Sequence, residues 1–332
     1  SIKGTINPEV KGNRRYHILS ISLILLISIA IYSNTLKNGF VYDDETTIVN
    51  NTMIKNLGNI SKLWTKEYFT ASAEMSYRPL VTLTYFIDYW LYGLKPYGYH
   101  LTNLILHVIN GVLLYVFIVL LITPFTLRTL RPVIPNEATI FPFSRNDTFP
   151  LSFTITNKPL LISLLFVTHP VLTEAVNAIS FREDLLCFLF YISALSIYVL
   201  LRTPLLCKEG RGEVDKDSVS TPPNLPLQRG GAIWLLYALS CIFYLLALLS
   251  KEMAITIPLI IFLYEWVYIS HKDESLKLKA QNSSFELPFS FQLSAFSFLN
   301  RYIIGYIAVT CFYLYLSFYL FKNPEEGIIT VW

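Results

Sequence analysis

Three consecutive carboxylates, Asp43, Asp44 and Glu45, stand in the stretch FVYDDETTIVNN, directly after an aromatic and apolar triplet. Clustered carboxylates repel one another, which raises at least one pKa and readies that group as a base. A base within reach of a hydroxyl can take its proton during glycosyl or phosphoryl transfer. The same residues can also cap a short helix or solvate a loop. A second constellation is THPVLTEAVNAISFREDLL, with Glu174, Arg182, Glu183 and Asp184. These suit structural ion pairs, for instance Glu174 with Arg182. They equally suit a site in which Glu174 is a supporting acid and Arg182 meets a phosphate with its fork of donors. Lys251-Glu252 in LSKEM and Arg78 in SYRPL complete the set. Together these residues offer carboxylates for acid–base work and cations for an anionic leaving group. Three adjacent carboxylates permit a divalent ion at Asp43 and Asp44 or none, and no Cys/His spacing marks a metal site.

These residues must be held by elements that a very apolar chain can form. Of 332 residues, 53% are hydrophobic and only 15% charged, against about 25% charged in an ordinary soluble domain. The apolar residues fall into blocks long enough to cross a bilayer, about 17–25 residues each. Spans are expected at 16–33, 99–122, 159–178, 185–201, 232–250, 253–269 and 302–321. The third is interrupted by His169-Pro170, and the fifth and sixth form a hairpin at Ser250-Lys251-Glu252. The fold class is therefore all-α, a polytopic transmembrane bundle of about seven such spans. The formal charge of +3 includes no basic tract that reads as a nucleic-acid site. Of the four cysteines, three lie in apolar segments, where they behave as small hydrophobes.

Most of the 26 Lys and Arg residues fall on one side if the N-terminus is cytoplasmic. That orientation puts Asp43, Arg78, Glu174, Arg182 and Lys251 together on the outer face. The first outer loop, 34–98, is rich in Tyr and Trp, which favour the membrane–water interface. Within it, PLVTLTYFIDYWLYG from Pro79 reads as an interfacial helix with Pro at its first position. The inner loops 123–157, 202–231 and 270–301 read as flexible, the first two from their Pro, Gly and charge content. His100, Asn103, His107 and Asn110 form a polar stripe on the second span, of the kind that glues helices together.

The strings FVYDDETTIVNN, YRPLVTLTYFIDYWLYG, GYHLTNLILHVINGVLLY, HPVLTEAVNAISFREDLL and LSKEMAITIPLIIFLYEW occur in that order. In this the chain resembles the membrane part of the GT-C glycosyltransferases, above all the transmembrane and tetratricopeptide-repeat O-mannosyltransferases and their bacterial relatives. The resemblance implies an inverting transfer of a sugar from a polyprenyl-phosphate donor to a hydroxyl of a protein or glycan acceptor, on the outer face. It implies that the base is Asp43 or Asp44, with Glu45 beside them. Arg182 and Asp184 match an Arg and an Asp of the family, in a string where Phe181 replaces a usual Gly. Glu174 matches an acid of the family, and Lys251-Glu252 a Lys-Glu pair. Arg182, Lys251 and Arg78 are then the candidates for the donor phosphate, with Glu174, Asp184 and Glu252 as supporting acids. No soluble repeat domain is expected within 1–332. The expected partners are the bilayer, the lipid-linked sugar and the acceptor. The expected location is an integral, multi-pass protein with a cytoplasmic N-terminus, in the inner membrane if bacterial, its site facing the periplasm or exterior.

Two other readings compete. A transporter or flippase keeps its ionisable residues near the membrane midplane between repeats, whereas here they gather at span ends and no repeat is evident. A non-catalytic, truncated remnant of such an enzyme is the third.

Overall fold

A computed structural model describes residues 8–72, 76–129, 151–208, 225–267 and 290–320. Among them there are helices and turns and no strands. The helices are α1 (Pro8–Tyr32), α2 (Tyr68–Ser72), α3 (Pro79–Tyr92), α4 (Pro96–Thr129) and α5 (Leu151–Val167). They continue with α6 (Leu172–Asn177), α7 (Arg182–Lys208), α8 (Leu225–Leu248), α9 (257–267) and α10 (Ser290–Tyr315).

Three stretches are long and apolar enough to cross a membrane, Arg15–Lys37, Pro96–Ile122 and Arg182–Arg202. The apolar stretches Lys158–Val167, Ile233–Leu248 and Tyr302–Phe318 are shorter. Leu19, Leu26, Leu161, Leu165, Leu235 and Phe318 point outward, as side chains do when the surrounding solvent is hydrocarbon. The expected span 159–178 is not one helix. α5 stops at Val167, the chain turns through Thr168–Val171, and α6 follows. Pro170 is the cause, since it disfavours helical geometry at His169. The expected span 253–269 opens as a 3-10 turn, Glu252–Thr256, before α9. Helix also fills the flanks of the loops expected to be flexible: α4 runs to Thr129, α5 begins at Leu151, and α7 ends at Lys208. The middles of those loops, and so their expected flexibility, lie outside the described residues.

α4 is the central element. It packs on α1, α5, α3, α6 and α7, while α7 packs on α8 and α8 on α10. Its polar stripe does the gluing that was expected. His100 donates from Nε2 to Gly39 O (3.3 Å) and accepts the Thr35 hydroxyl at Nδ1 (3.1 Å); a carbonyl can only accept, which fixes that tautomer. Asn103 donates to Ala178 O (3.2 Å), His107 pairs with Val167 O (3.3 Å) and Asn110 donates to Leu185 O (2.9 Å).

The segment after α1 folds tightly rather than trailing. Ile48, Met53, Ile54, Leu63, Tyr68 and Phe86 are buried in the same core as α7, α8 and α10. Asn51 holds it from inside, donating to Thr47 O and Ser72 O and accepting from Met53 N. α3 starts at Pro79, as the sequence implies, and ends at Gly93, whose φ of +62° reverses the chain into α4. Tyr85 on α3 donates to Ile179 O, which fastens this helix to the turn before α7 (3.1 Å).

Candidate functional site

The acidic triplet separates into three environments. Tyr42, exposed, sits at φ +52°, a left-handed conformation that is strained for an aromatic residue. Asp44 is fully buried. One of its oxygens accepts from Val41 N (3.0 Å) and the other from Ser180 N (2.8 Å). Asp44 thus closes its own turn and ties it to the turn that begins α7. Asp43 is clamped through its backbone: its carbonyl accepts the N–H of Thr46 (3.1 Å) and Thr47 (2.9 Å). The same carbonyl accepts both threonine hydroxyls, at 2.9 and 2.8 Å. Its side chain is exposed, with no hydrogen bond or ion pair to its carboxylate among the described residues. Glu45 is exposed at the start of a short turn, Glu45–Val49. As a chelate for a divalent ion Asp43 and Asp44 fit poorly, because each Asp44 oxygen already faces a backbone N–H.

Arg182 is 0% exposed and sealed among α3 and α4. It pairs with Asp88 (2.6 Å) and donates to Asn103 Oδ1 (2.7 Å), Thr84 Oγ1 (3.0 Å) and Tyr99 O (2.9 Å). Its guanidinium also lies 4.9 Å from the Tyr85 ring centre. The structural ion pair anticipated for Arg182 therefore exists, but with Asp88 and not with Glu174. Burial, the larger effect, pushes the Asp88 carboxyl up, against Arg182 and the Thr102 hydroxyl that donates to it. Every one of these contacts directs Arg182 inward, so it does not face an opening where a donor phosphate could reach it.

Arg78, Lys251, Glu252 and Asp184 do come together, around Glu183, an acid that the sequence places in the charged constellation without a site role. Glu183 bridges Arg78 and Lys251 (3.1 Å to the lysine). Lys251 also pairs with Asp184 (2.7 Å), and Arg78 with Glu252 (3.1 Å). Glu183 and Asp184 occupy the first turn of α7, where acids favour the positive end of a helix; that is the signal that could have marked Glu183. Burial alone would lower Lys251, but its bonds to Asp184 and the charges of Glu183 and Asp184 outweigh burial and raise it. Burial alone would raise Glu252, but its backbone bond and the Arg78 charge outweigh burial and lower it.

Glu174 stands apart from this network. It is exposed and lines an open cleft of about 600 Å³, together with Val41, Tyr42, Val171, Asn177 and Phe181. One wall of the cleft is therefore the chain immediately before Asp43.

No family model matches the chain, and no solved structure does. Curated proteins do. The chain is 28% identical over 251 residues to human protein O-mannosyl-transferase TMTC3, covering 74% of this chain and 21% of that one. It is 32% identical over 174 residues to mouse protein O-mannosyl-transferase TMTC4, covering 50% and 21%. Over 91% of its length it is 26% identical to fruit-fly protein O-mannosyl-transferase Tmtc1, of which it covers 28%. The chain thus spans well under a third of each of these relatives' lengths. Over half to nine-tenths of its length, it is related to the proteins named protein O-mannosyl-transferases of the TMTC family.

Proposed function

We propose that the chain is the membrane part of a GT-C type glycosyltransferase. It moves a sugar from a polyprenyl-phosphate donor to an acceptor hydroxyl on the outer face of a membrane. The relatives' names support mannose as the sugar and protein as the acceptor. The observation that carries the reading is the mounting of Asp43. A strained Tyr42, four bonds to the Asp43 carbonyl and the Asp44 tether hold its backbone while leaving its carboxylate to solvent.

In this reaction Asp43 takes the proton of the acceptor hydroxyl. The oxygen bonds to the anomeric carbon from the side opposite the phosphate. The carbon–oxygen bond to phosphate breaks, its electron pair leaves with polyprenyl phosphate, and the configuration inverts. Asp44 positions Asp43 through its bonds to Val41 N and Ser180 N. Arg78 and Lys251, each about a fifth exposed, receive the phosphate charge. Both are neutralised by acids at rest, so the phosphate takes the place of Glu252, the half-exposed partner of Arg78.

The test is transfer of a labelled mannose from polyprenyl phosphate to a threonine-bearing peptide, in nanodiscs. Asp43→Asn should melt like the parent chain and lose roughly 10²–10⁴-fold in rate, the usual worth of a general base. Full activity in Asp43→Asn would remove Asp43 from the reaction.

A further inference from the structure

The cleft beside Asp43 combines apolar and polar surface. Val41 and Tyr42 line it from one segment and Val171 and Phe181 from another, while Asn38, Thr173, Glu174 and Asn177 supply the polar groups. None of the residues lining it is cationic. An anionic phosphate would therefore meet a carboxylate and no cation there, while the cations Arg78 and Lys251 belong to a different cluster. Tyr42 is 87% and Val171 74% exposed, so large apolar surface lies bare on both sides of the opening. The Asn177 Oδ1 is shielded from water and has no hydrogen-bond partner among the described residues. A buried carbonyl oxygen without a donor is costly. Rotating that amide toward the cleft lets a ligand N–H satisfy it. The volume of about 600 Å³ lies inside the usual range for ligand pockets, about 300–1,000 Å³.

We infer that this cleft holds an extended stretch of the acceptor polypeptide. A peptide backbone N–H pairs with the Asn177 amide, apolar side chains lie against Tyr42, Val171 and Phe181, and Glu174 favours a neighbouring lysine or arginine. An extended chain suits the site because its side chains alternate between two sides while its backbone donors stay in line. The inference rests on the transferase reading and deepens it: it names where the acceptor lies and which sequences it favours. With Tyr42 in the wall, the bound segment passes next to Asp43.

The test needs no turnover. A fluorescein-labelled peptide rich in threonine, valine and lysine is titrated with the full chain in phosphatidylcholine nanodiscs, followed by anisotropy. Asn177→Ala should weaken binding roughly two- to tenfold, the worth of one hydrogen bond. Val171→Trp, at an exposed position, should weaken it by blocking the cleft without shifting the melting point. Glu174→Gln should weaken the lysine peptide and leave its lysine-to-glutamine counterpart unchanged. Three results would overturn the inference: no binding by the parent chain, equal binding by Asn177→Ala and Val171→Trp, or displacement of the peptide by polyprenyl phosphate or a soluble oligosaccharide. Peptide binding without sugar transfer would keep the cleft and sink the transferase reading instead; transfer with a peptide KM indifferent to Asn177→Ala and Val171→Trp would do the reverse.

Discussion

Replacing Asp88 by Ala strands a cation in a sealed site. Arg182 is 0% exposed and keeps Asn103, Thr84, the Tyr99 carbonyl and the Tyr85 face, but loses its one charged partner. Removing one partner of a buried ion pair costs about 3–5 kcal/mol. The remaining neutral acceptors put the expected loss near the lower end, about 3 kcal/mol. Equilibrium unfolding in mixed detergent micelles gives the free energy directly. Thiol labelling supplies the probe, since Cys187 is buried and Cys311 is exposed. Asp88→Leu combined with Arg182→Met should recover to within about 1 kcal/mol of the parent, because an apolar pair of similar volume often replaces a buried ion pair at little cost. The double variant also separates charge from packing, as a coupled pair requires. An Asp88→Ala chain within about 0.5 kcal/mol of the parent, the scatter of inert surface changes, would refute the role given to this pair.

The network around Lys251 and Glu252 predicts a plateau of stability against pH. Glu252 titrates below its ordinary value of 4.5 in the folded chain, so its contribution is present above that value and is lost as pH falls through the lower, folded one. Lys251 titrates above its ordinary 10.5, so its contribution is complete below that value and is lost as pH rises through the higher one. Melting temperature against pH should show both limbs, and Glu252→Gln should flatten the acid limb. At Gly111 an added Cβ would lie 2.4 Å from Val167 Cγ1 and 3.1 Å from Ile24 Cγ2. Gly111→Ala should therefore cost about 1–3 kcal/mol, with Val167→Ala restoring most of it. Gly39, with nothing within 4 Å of its Cβ position, should accept alanine within about 0.5 kcal/mol. Glu183→Gln removes the acid that Arg78 and Lys251 share, leaving each with one carboxylate, Glu252 and Asp184, and should tighten binding of polyprenyl phosphate, measured by competition; unchanged affinity would argue against those cations as the phosphate site.

Much of this was legible in the sequence because it depends on local pattern. Apolar blocks gave α1, α4 and α7, Pro79 marked the start of α3, and Pro170 marked the break after α5. The polar stripe on α4 was legible for the same reason, since its spacing places His100, Asn103, His107 and Asn110 along one side. Pairing was not legible. Arg182 has acids nearby in sequence, Glu174, Glu183 and Asp184, yet it closes on Asp88, with the whole of α4, α5 and α6 between them along the chain. Only the packing of α3 against α4 and α7 brings that carboxylate within reach. Nor could sequence separate Asp43 from Asp44. Adjacent residues of the same type differ here because the left-handed Tyr42 turns one carboxyl inward to Ser180 N and leaves its neighbour in water.

The hydrogen bonds of the α4 stripe are lopsided in what they read. His100, Asn103, His107 and Asn110 all address backbone carbonyls, those of Gly39, Ala178, Val167 and Leu185. At least three of these oxygens sit where a helix has stopped and its own donors have run out. α4 therefore works as a template that recognises shape and ignores spelling. In these four bonds the stripe carries the chemical information and each facing position offers a group that every amino acid possesses; the Thr35 hydroxyl on His100 and the Arg182 guanidinium on Asn103 are the side-chain exceptions. Saturation mutagenesis should be correspondingly asymmetric. The four stripe positions should tolerate little, and position 39 and its counterparts should accept any side chain that fits the space. Such a joint lets the surrounding segments drift in sequence without unlearning how to assemble.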